Sequence, residues 1–397
     1  MADREYYNRM ISFLFVLVSL VLCLGQDLEE KCAKDLEGCY CTDRYIDCSG
    51  AEFTDIRDIY PYITNQTYRI HITGGRICSI PDNVFEISGV SGPLNNVVYL
   101  NLSGNNIETV GRASFQQLPN LQVLDLSYSD ILVNLCDPQN DFSTSLAPLR
   151  NIEELYLSHV FSKEVSGSCD PGNVFPQTRM SNLKKLDMSS NNFNLIGTKM
   201  DHFLCDTISI QTLNLSRNDF GRFPVSQCMT NVEVLDVSSN LISVLSPEEM
   251  DVVESLVNLK ALYLGGNPFQ CDCFLDNAFH WLNVTTVPLD FDKIVCGGET
   301  DITQIIGKPI KSLNYTDICE GPEIIVCGFW PSGRKIYLSK TTFIAGLSGG
   351  VVLIIFVITV VVVLCRRRRQ RRRQHHSMAN SQIVPAVAKT TAYSRMV

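Results

Sequence analysis

The stretch from Ile70 to Phe269 is written in one repeated frame. Its clearest copy reads LNLSRNDF, Leu213 to Phe220, and the frame returns as LNLSGNNI, LDLSYSDI, LDMSSNNF, LDVSSNLI and LYLGGNPF. The matching apolar residues are Leu100, Leu124, Leu155, Leu186, Leu213, Leu235 and Leu262, spaced 24, 31, 31, 27, 22 and 27 residues apart. A unit of that length cannot bury its own apolar face, so neighbours must stack and cover one another. Each L-x-L reads as a short parallel strand with its leucines turned inward. Asn105, Asn191, Asn218, Asn240 and Asn267 follow where the chain turns into the core. Their amides are predicted to satisfy backbone groups of neighbouring turns that would otherwise be buried unpaired. Ser129 and Val160 hold this position in two copies. Val160 has no side-chain polar group to offer, so the Leu155 copy is expected to be locally irregular.

This frame is the leucine-rich repeat signature, and the resemblance implies an α/β solenoid of horseshoe form. About eight repeats are expected over residues 59–269, the first of them weak, with Ile70, Ile72, Ile77, Ile80 and Phe85 in frame and Gly75 at the asparagine position. Sixteen cysteines in 397 residues are too many for an ordinary cytosolic protein. Residues 1–25 read as a secretory signal, with Arg4 and Arg9 ahead of or beside an almost wholly apolar run from Ile11 to Leu24. Residues 26–58 hold Cys32, Cys39, Cys41 and Cys48, and residues 270–320 hold Cys271, Cys273, Cys296 and Cys319. These two groups resemble the cysteine-rich caps of extracellular leucine-rich repeat proteins. A solenoid needs such atypical ends to cover its open core. The family pattern implies Cys32–Cys41, Cys39–Cys48, Cys271–Cys296 and Cys273–Cys319, although the four amino-terminal cysteines taken alone allow three pairings. A zinc site is the rival reading of that group, and the secretory context argues against it. Cys136 and Cys169 lie 12 and 14 residues past their repeat leucines, and Cys205 and Cys228 lie 19 and 15 past theirs. Adjacent outer loops are expected to pair them as Cys136–Cys169 and Cys205–Cys228. Trp281, in the WL of the carboxyl cap, is expected to cover the last strand together with Phe274 and Phe279.

The face of the strands that points away from the leucines is the expected binding surface. Its middle positions carry Asp125, Tyr156, Asp187, Asp236 and Tyr263. Near them stand Tyr99, Tyr128, Glu153, Glu154, His159 and Arg217. Exposed aromatics on strands suit protein recognition; Asp and Ser there also serve simply to solvate an open sheet. The sequons at Asn65, Asn101, Asn214, Asn283 and Asn314 are candidate N-glycosylation sites. Asn101 and Asn214 are predicted to point onto the binding surface, where a glycan would obstruct it. Residues 26–342 carry a net charge of -18, because the last 55 residues hold nine basic and no acidic side chains and the first 25 are neutral. That charge argues against nucleic acid or heparin and favours a cationic partner. No G-x-S-x-G, H-E-x-x-H or phosphate-loop pattern occurs, and the histidines are scattered, so neither an enzyme nor a cofactor is expected.

Residues 321–342 form a stalk, and residues 343–365 run 23 positions without a charge. As a helix they would span about 34 Å, enough for a hydrocarbon core of roughly 30 Å. Seven arginines follow within Arg366–Arg373, which sets residues 366–397 in the cytoplasm and the repeats outside. The expectation is a single-pass type I protein of the plasma membrane, its arginine run lying against anionic inner-leaflet lipid. Cys365 is a lipidation candidate, and Tyr393 with Met396 resembles a short endocytic or docking motif. The uneven repeat steps resemble a Toll-like receptor ectodomain, without that class's large cytoplasmic signalling domain. The resulting expectation is a receptor or adhesion protein that binds an extracellular protein or glycoconjugate, with a homodimer or co-receptor as candidate company. Cys327 is the candidate interchain cysteine. The alternative is an auxiliary subunit that modulates a channel or signalling receptor in the same membrane.

Overall fold

The computed structural model describes residues 32–318, with short interruptions of which 162–169 and 298–304 are the longest, and the strands 324–329 and 335–339. The chain divides into two units, Met1–Ile318 and Cys319–Val397. In the first unit β1 (Tyr40–Cys41) pairs antiparallel with β2 (Tyr45–Ser49). Every later strand of that sheet is parallel: β3 (Arg69–Thr73), β5 (Tyr99–Asn101), β7 (Val123–Asp125), β8 (Glu154–Tyr156), β9 (Lys185–Asp187), β10 (Thr212–Asn214), β11 (Val234–Asp236) and β12 (Ala261–Tyr263). The inward residues Ile46, Ile70, Leu100, Leu124, Leu155, Leu186, Leu213, Leu235 and Leu262 form one aligned column, and all are fully buried. Strand neighbours are about 4.8 Å apart. The outer side holds bulkier pieces, so the stack curves with the sheet on its concave side.

Those outer pieces are β4 (Ser79–Ile80) paired with β6 (Thr109–Val110), then α1 (Asp141–Leu146), a 3-10 turn at Pro171–Val174, α2 (Thr198–Asp206) and α3 (Pro247–Ser255). The start of α3 is written in the sequence: Ser246 and Glu249 form a reciprocal capping box, and Pro247 takes the first helical position. Asp170 caps α2 from the preceding repeat, accepting from Lys199 N and Met200 N. Gly172 permits that approach, because a Cβ there would stand 2.2 Å from Met200 N. Between sheet and helices runs a file of phenylalanines. Phe142, Phe161 and Phe193 have ring centroids 5.3 and 6.3 Å apart in succession.

The asparagine column behaves as its chemistry demands. The amide of Asn191 donates to Leu157 O at 2.7 Å and Met188 O at 3.0 Å, and its oxygen accepts from Val160 N and Phe161 N. Asn105, Asn218, Asn240 and Asn267 repeat the pattern, each donating both to its own turn and to the preceding one. The expected irregularity at the Leu155 copy does not reach the sheet: β7, β8 and β9 pair without a shift. The groups that an asparagine at 160 would have served all have partners. Ser129 Oγ donates to Leu126 O at 2.7 Å, Asn191 supplies Leu157 O, and Val160 O accepts from Ile131 N.

Both ends of the first unit are closed. At the amino end Cys32 is bonded to Cys41 and Cys39 to Cys48. At the carboxyl end Cys271 is bonded to Cys296, and α4 (Asp276–Val284) lies against α3. Trp281 is buried there, and its indole N–H donates to Glu254 at 2.7 Å. The Asp290 carboxylate accepts from Leu264 N, which has no next repeat strand to donate to, and from Gly265 N, which Tyr263 cannot cap. Cys205 is bonded to Cys228. Cys136 is disulfide-bonded, whereas Cys169, Phe274, Cys273 and Cys319 lie outside the described residues. Cys78 is an exposed free thiol. In the second unit β13 (Ile324–Phe329) and β14 (Lys335–Ser339) form an antiparallel pair with a bulge between Val326 and Gly328. No helix among the described residues is long and apolar enough to cross a membrane. Residues 1–25, read above as a signal, residues 343–365, Cys365, and residues 366–397 with Tyr393 and Met396 lie outside the described residues.

Candidate binding face

Two columns of side chains stand on the concave sheet. One runs Tyr45, Arg69, Tyr99, Val123, Glu154, Lys185, Thr212, Val234, Ala261, in strand order. The other holds Asp47, His71, Asn101, Asp125, Tyr156, Asp187, Asn214, Asp236 and Tyr263 on the same strands. The acidic and amide members of the second column have a structural duty. Asp47, Asn101, Asp125, Asp187, Asn214 and Asp236 each accept, through Oδ1, from the backbone N–H two residues on, at 2.8–3.0 Å. These Asx turns fix the exit from each strand. His71, Tyr156 and Tyr263 forgo that cap, so each marks a departure from what the fold alone asks for.

A second column of departures lies just past the strands. Gly74, Gly104, Tyr128, His159, Ser190, Arg217, Ser239 and Gly266 all have φ between +54° and +75°. The N–H groups of the first seven donate to carbonyls of the next repeat, from Ser103 O at Gly74 to Gly265 O at Ser239. Glycine is suited to that left-handed region, and a bulky L-residue there costs on the order of 1 kcal/mol. Tyr128, His159 and Arg217 occupy it nonetheless.

The departures meet at β7–β9. The Tyr156 hydroxyl donates to Glu154 at 2.5 Å, and the Lys185 ammonium lies 4.9 Å from its ring centroid. Asp125 and Asp187 flank it on the adjoining strands. Burial, the bond to Glu154 and the negative charges of Glu154, Asp125 and Asp187 hold its phenol well above the ordinary range, so it is a neutral donor at physiological pH. The Tyr128 and His159 rings are 5.8 Å apart, and Tyr128 is 62% exposed. Glu153 is engaged with Lys184 at 2.7 Å. The other expected contact residues are not part of this group. Tyr99 belongs to an amino-terminal cluster around Arg69, and Arg217, Asp236 and Tyr263 lie toward the carboxyl end.

The sequence reading missed Arg69 and Tyr45 and dismissed His71. It also missed an exposed second asparagine ladder along the edge where chains enter the strands. Asn96, Asn120, Asn151, Asn182, Asn231 and Asn258 each donate to a carbonyl of the preceding repeat. Its signal, an asparagine shortly before the first strand residue in copy after copy, was present in the chain. Among the described residues no group of three or more His, Cys, Asp or Glu is placed to hold a metal ion.

Residues 66–131 match the leucine rich repeat family model. Transforming growth factor beta activator LRRC33 of Danio rerio is 27% identical over 198 residues, covering 46% of this chain and 28% of its own length. Trophoblast glycoprotein of Macaca fascicularis is 24% identical over 274 residues, covering 65% of this chain and 61% of its own length. The chain thus spans less than two thirds of these relatives. The crystal structure of human 5T4 (Wnt-activated inhibitory factor 1, trophoblast glycoprotein) superposes with a TM-score of 0.61 at 22% identity, covering 74% of this chain and 100% of that one. The fold shared at that identity is the leucine-rich repeat solenoid.

Proposed function

We propose that this chain is a cell-surface receptor or adhesion protein whose concave face binds an extracellular protein or glycoconjugate. The observation that carries the reading is the group Tyr128, Tyr156 and His159 with Asp125, Glu154 and Asp187. At three of these positions the chain forgoes a turn cap or accepts a strained backbone and gains an aromatic ring on an acidic surface. That chemistry suits a partner presenting lysine or arginine. The names of two similar proteins, an activator of transforming growth factor beta and a Wnt-activated inhibitory factor, support an extracellular signalling role over a purely structural one. The uneven repeat steps, which resemble those of Toll-like receptor ectodomains, support it further.

In this reading residues 1–25 are a signal, 26–58 and 270–320 are caps around the repeats of 59–269, and 321–342 are a stalk. Residues 343–365 cross the plasma membrane once, and 366–397 are a cytoplasmic tail held near anionic lipid. Cys365 carries a lipid, and Tyr393 with Met396 is read by trafficking or docking proteins. Cys136 is paired with Cys169, and Cys273 with Cys319. Asn65, Asn283 and Asn314 are exposed and carry glycans. Asn101 is nearly buried and the Asn214 amide donates to Asp187, so both stay unmodified and leave the face open.

The test is proximity labelling from the full-length protein on living cells, wild type against Y128A/Y156A. Removing two central tyrosines is expected to lower recovery of the specifically labelled extracellular partner by at least about tenfold at equal surface amount. An unchanged set of labelled proteins overturns the reading. A multi-pass protein labelled equally by both variants points to the auxiliary-subunit role instead.

A further inference from the structure

We infer that Arg69, with Tyr45, His71 and Tyr99, forms a carboxylate-reading site for a terminal sugar acid of a glycoconjugate, at the amino-terminal end of the concave face. The four side chains sit on adjacent strands β2, β3 and β5 in strict register. The Arg69 guanidinium lies 3.9 Å from the Tyr99 ring centroid and 5.9 Å from that of Tyr45. His71 is stacked with Tyr99 at 8° between ring planes. Among the described residues no ion pair or hydrogen bond engages this guanidinium, and its Nε is shielded from solvent. The nearby carboxylate is engaged elsewhere: Asp47 accepts from the Tyr45 hydroxyl and from Ser49. Hydrogen bonds from Ser49 and Tyr45 outweigh burial and keep Asp47 ionised, while burial and the bond to Asp47 push the Tyr45 phenol up to about 12.

A positive fork held between aromatic rings, on a face of a strongly acidic ectodomain, has its charge uncompensated and its orientation already fixed. The terminal N–H groups remain to grip a carboxylate in bidentate fashion. Preorganisation keeps the entropic cost of that grip small. The Tyr45, His71 and Tyr99 rings are half-buried, with one face of Tyr99 under the guanidinium, and the apolar surface they leave open suits the C–H face of a pyranose, while the Tyr99 hydroxyl, held by the Asn101 amide at 3.4 Å, offers a polar tip. An acidic peptide would satisfy the guanidinium and leave those ring faces unused, which is why the sugar acid is favoured. The site lies three strands from Tyr156, about 14 Å away. The inference rests on the reading that the concave face is an extracellular binding surface, but it does not depend on the central tyrosines.

The experiment uses cells displaying the full-length chain after sialidase treatment, so that their own glycans do not occupy the site. The probes are a sialyllactose-bearing polymer, the same polymer with uncharged lactose, and polyglutamate. Wild type is expected to bind the sialyllactose polymer at least about tenfold more strongly than either control, and R69A and R69K to lose at least about tenfold. R69K keeps the charge and the fold but not the fork. N258A, on the exposed edge outside both groups, is expected to bind the polymer as wild type does. Absence of sialyllactose binding, equal binding of the lactose polymer, or unimpaired binding by R69A each overturns the inference. Equal binding of polyglutamate overturns it in favour of an acidic protein partner. Loss of partner labelling in Y128A/Y156A with R69A silent in both assays leaves the central reading standing and this one refuted. If partner labelling is unchanged in Y128A/Y156A while the polymer still binds through Arg69, the central reading fails and this site stands.

Discussion

Asn191 shows how much one amide carries in a stacked fold. It is fully buried and satisfies Leu157 O, Met188 O, Val160 N and Phe161 N in two successive turns. Asn191→Ala leaves these groups unpaired in a dry interior and is expected to cost on the order of 3 kcal/mol. Asn258 also bonds to the preceding repeat, at Thr230 O, but in water. Asn258→Ala is expected to cost about 0.5 kcal/mol or less. Denaturant titration of the purified full-length variants measures both, and equal midpoints would contradict the argument. The buried column was legible because an asparagine at a fixed place beside inward leucines has few other uses. The exposed ladder was not recognised, because an asparagine near Pro119 or Ser181 looks like ordinary turn chemistry. The left-handed column was hidden for another reason. Tyr128, His159 and Arg217 are not residues that advertise a positive φ, and only the stacking of Gly74, Gly104 and Gly266 in the same file reveals it.

At the scale of the repeat, the Leu155 copy separates pattern from physics. Its missing asparagine looked like a defect, yet the strands stay in register because Ser129, Asn191 and the Val160 carbonyl take over the vacant bonds. Val160 is 1% exposed and packs in the core. Restoring the consensus with Val160→Asn exchanges that packing for an amide whose oxygen would have to draw Ile131 N away from Val160 O. It is expected to destabilise by about 1–3 kcal/mol, where consensus logic would predict a gain. The same titration decides the sign. Helix α3 was readable from Ser246, Pro247 and Glu249, since a capping box is local. The cap on α2 was not, since Asp170 comes from a different repeat and only the assembled stack brings it there. The binding face divides likewise. Tyr156 and Asp187 were found from strand alternation, while the grouping of Arg69 with Tyr45 and Tyr99 depends on the register between strands 24 to 30 residues apart in the chain.

Across the whole chain, fourteen cysteines fall within residues 26–342, and Cys327 lies in β13, 16 positions before residue 343. In the proposed single-pass arrangement two copies held in one membrane would meet at high effective concentration, which would favour a Cys327–Cys327 bond. Non-reducing electrophoresis of alkylated surface protein is expected to show a dimer band in wild type that C327S loses; a monomer band in both excludes the covalent dimer. The charge of the chain, its repeats and its cysteine groups were all visible in sequence, because they are sums and periods. How the first unit stops was not. A pile of like rungs holds no internal instruction to end, and the last strand of any such pile is a template on which another chain can grow. That template is withdrawn where Pro288 O takes Leu262 N, and Asp290 completes the cover by offering its carboxylate to Leu264 N and Gly265 N just past the strand. One acidic side chain thus helps fix the length of the stack and keep a second copy from extending it into a fibre.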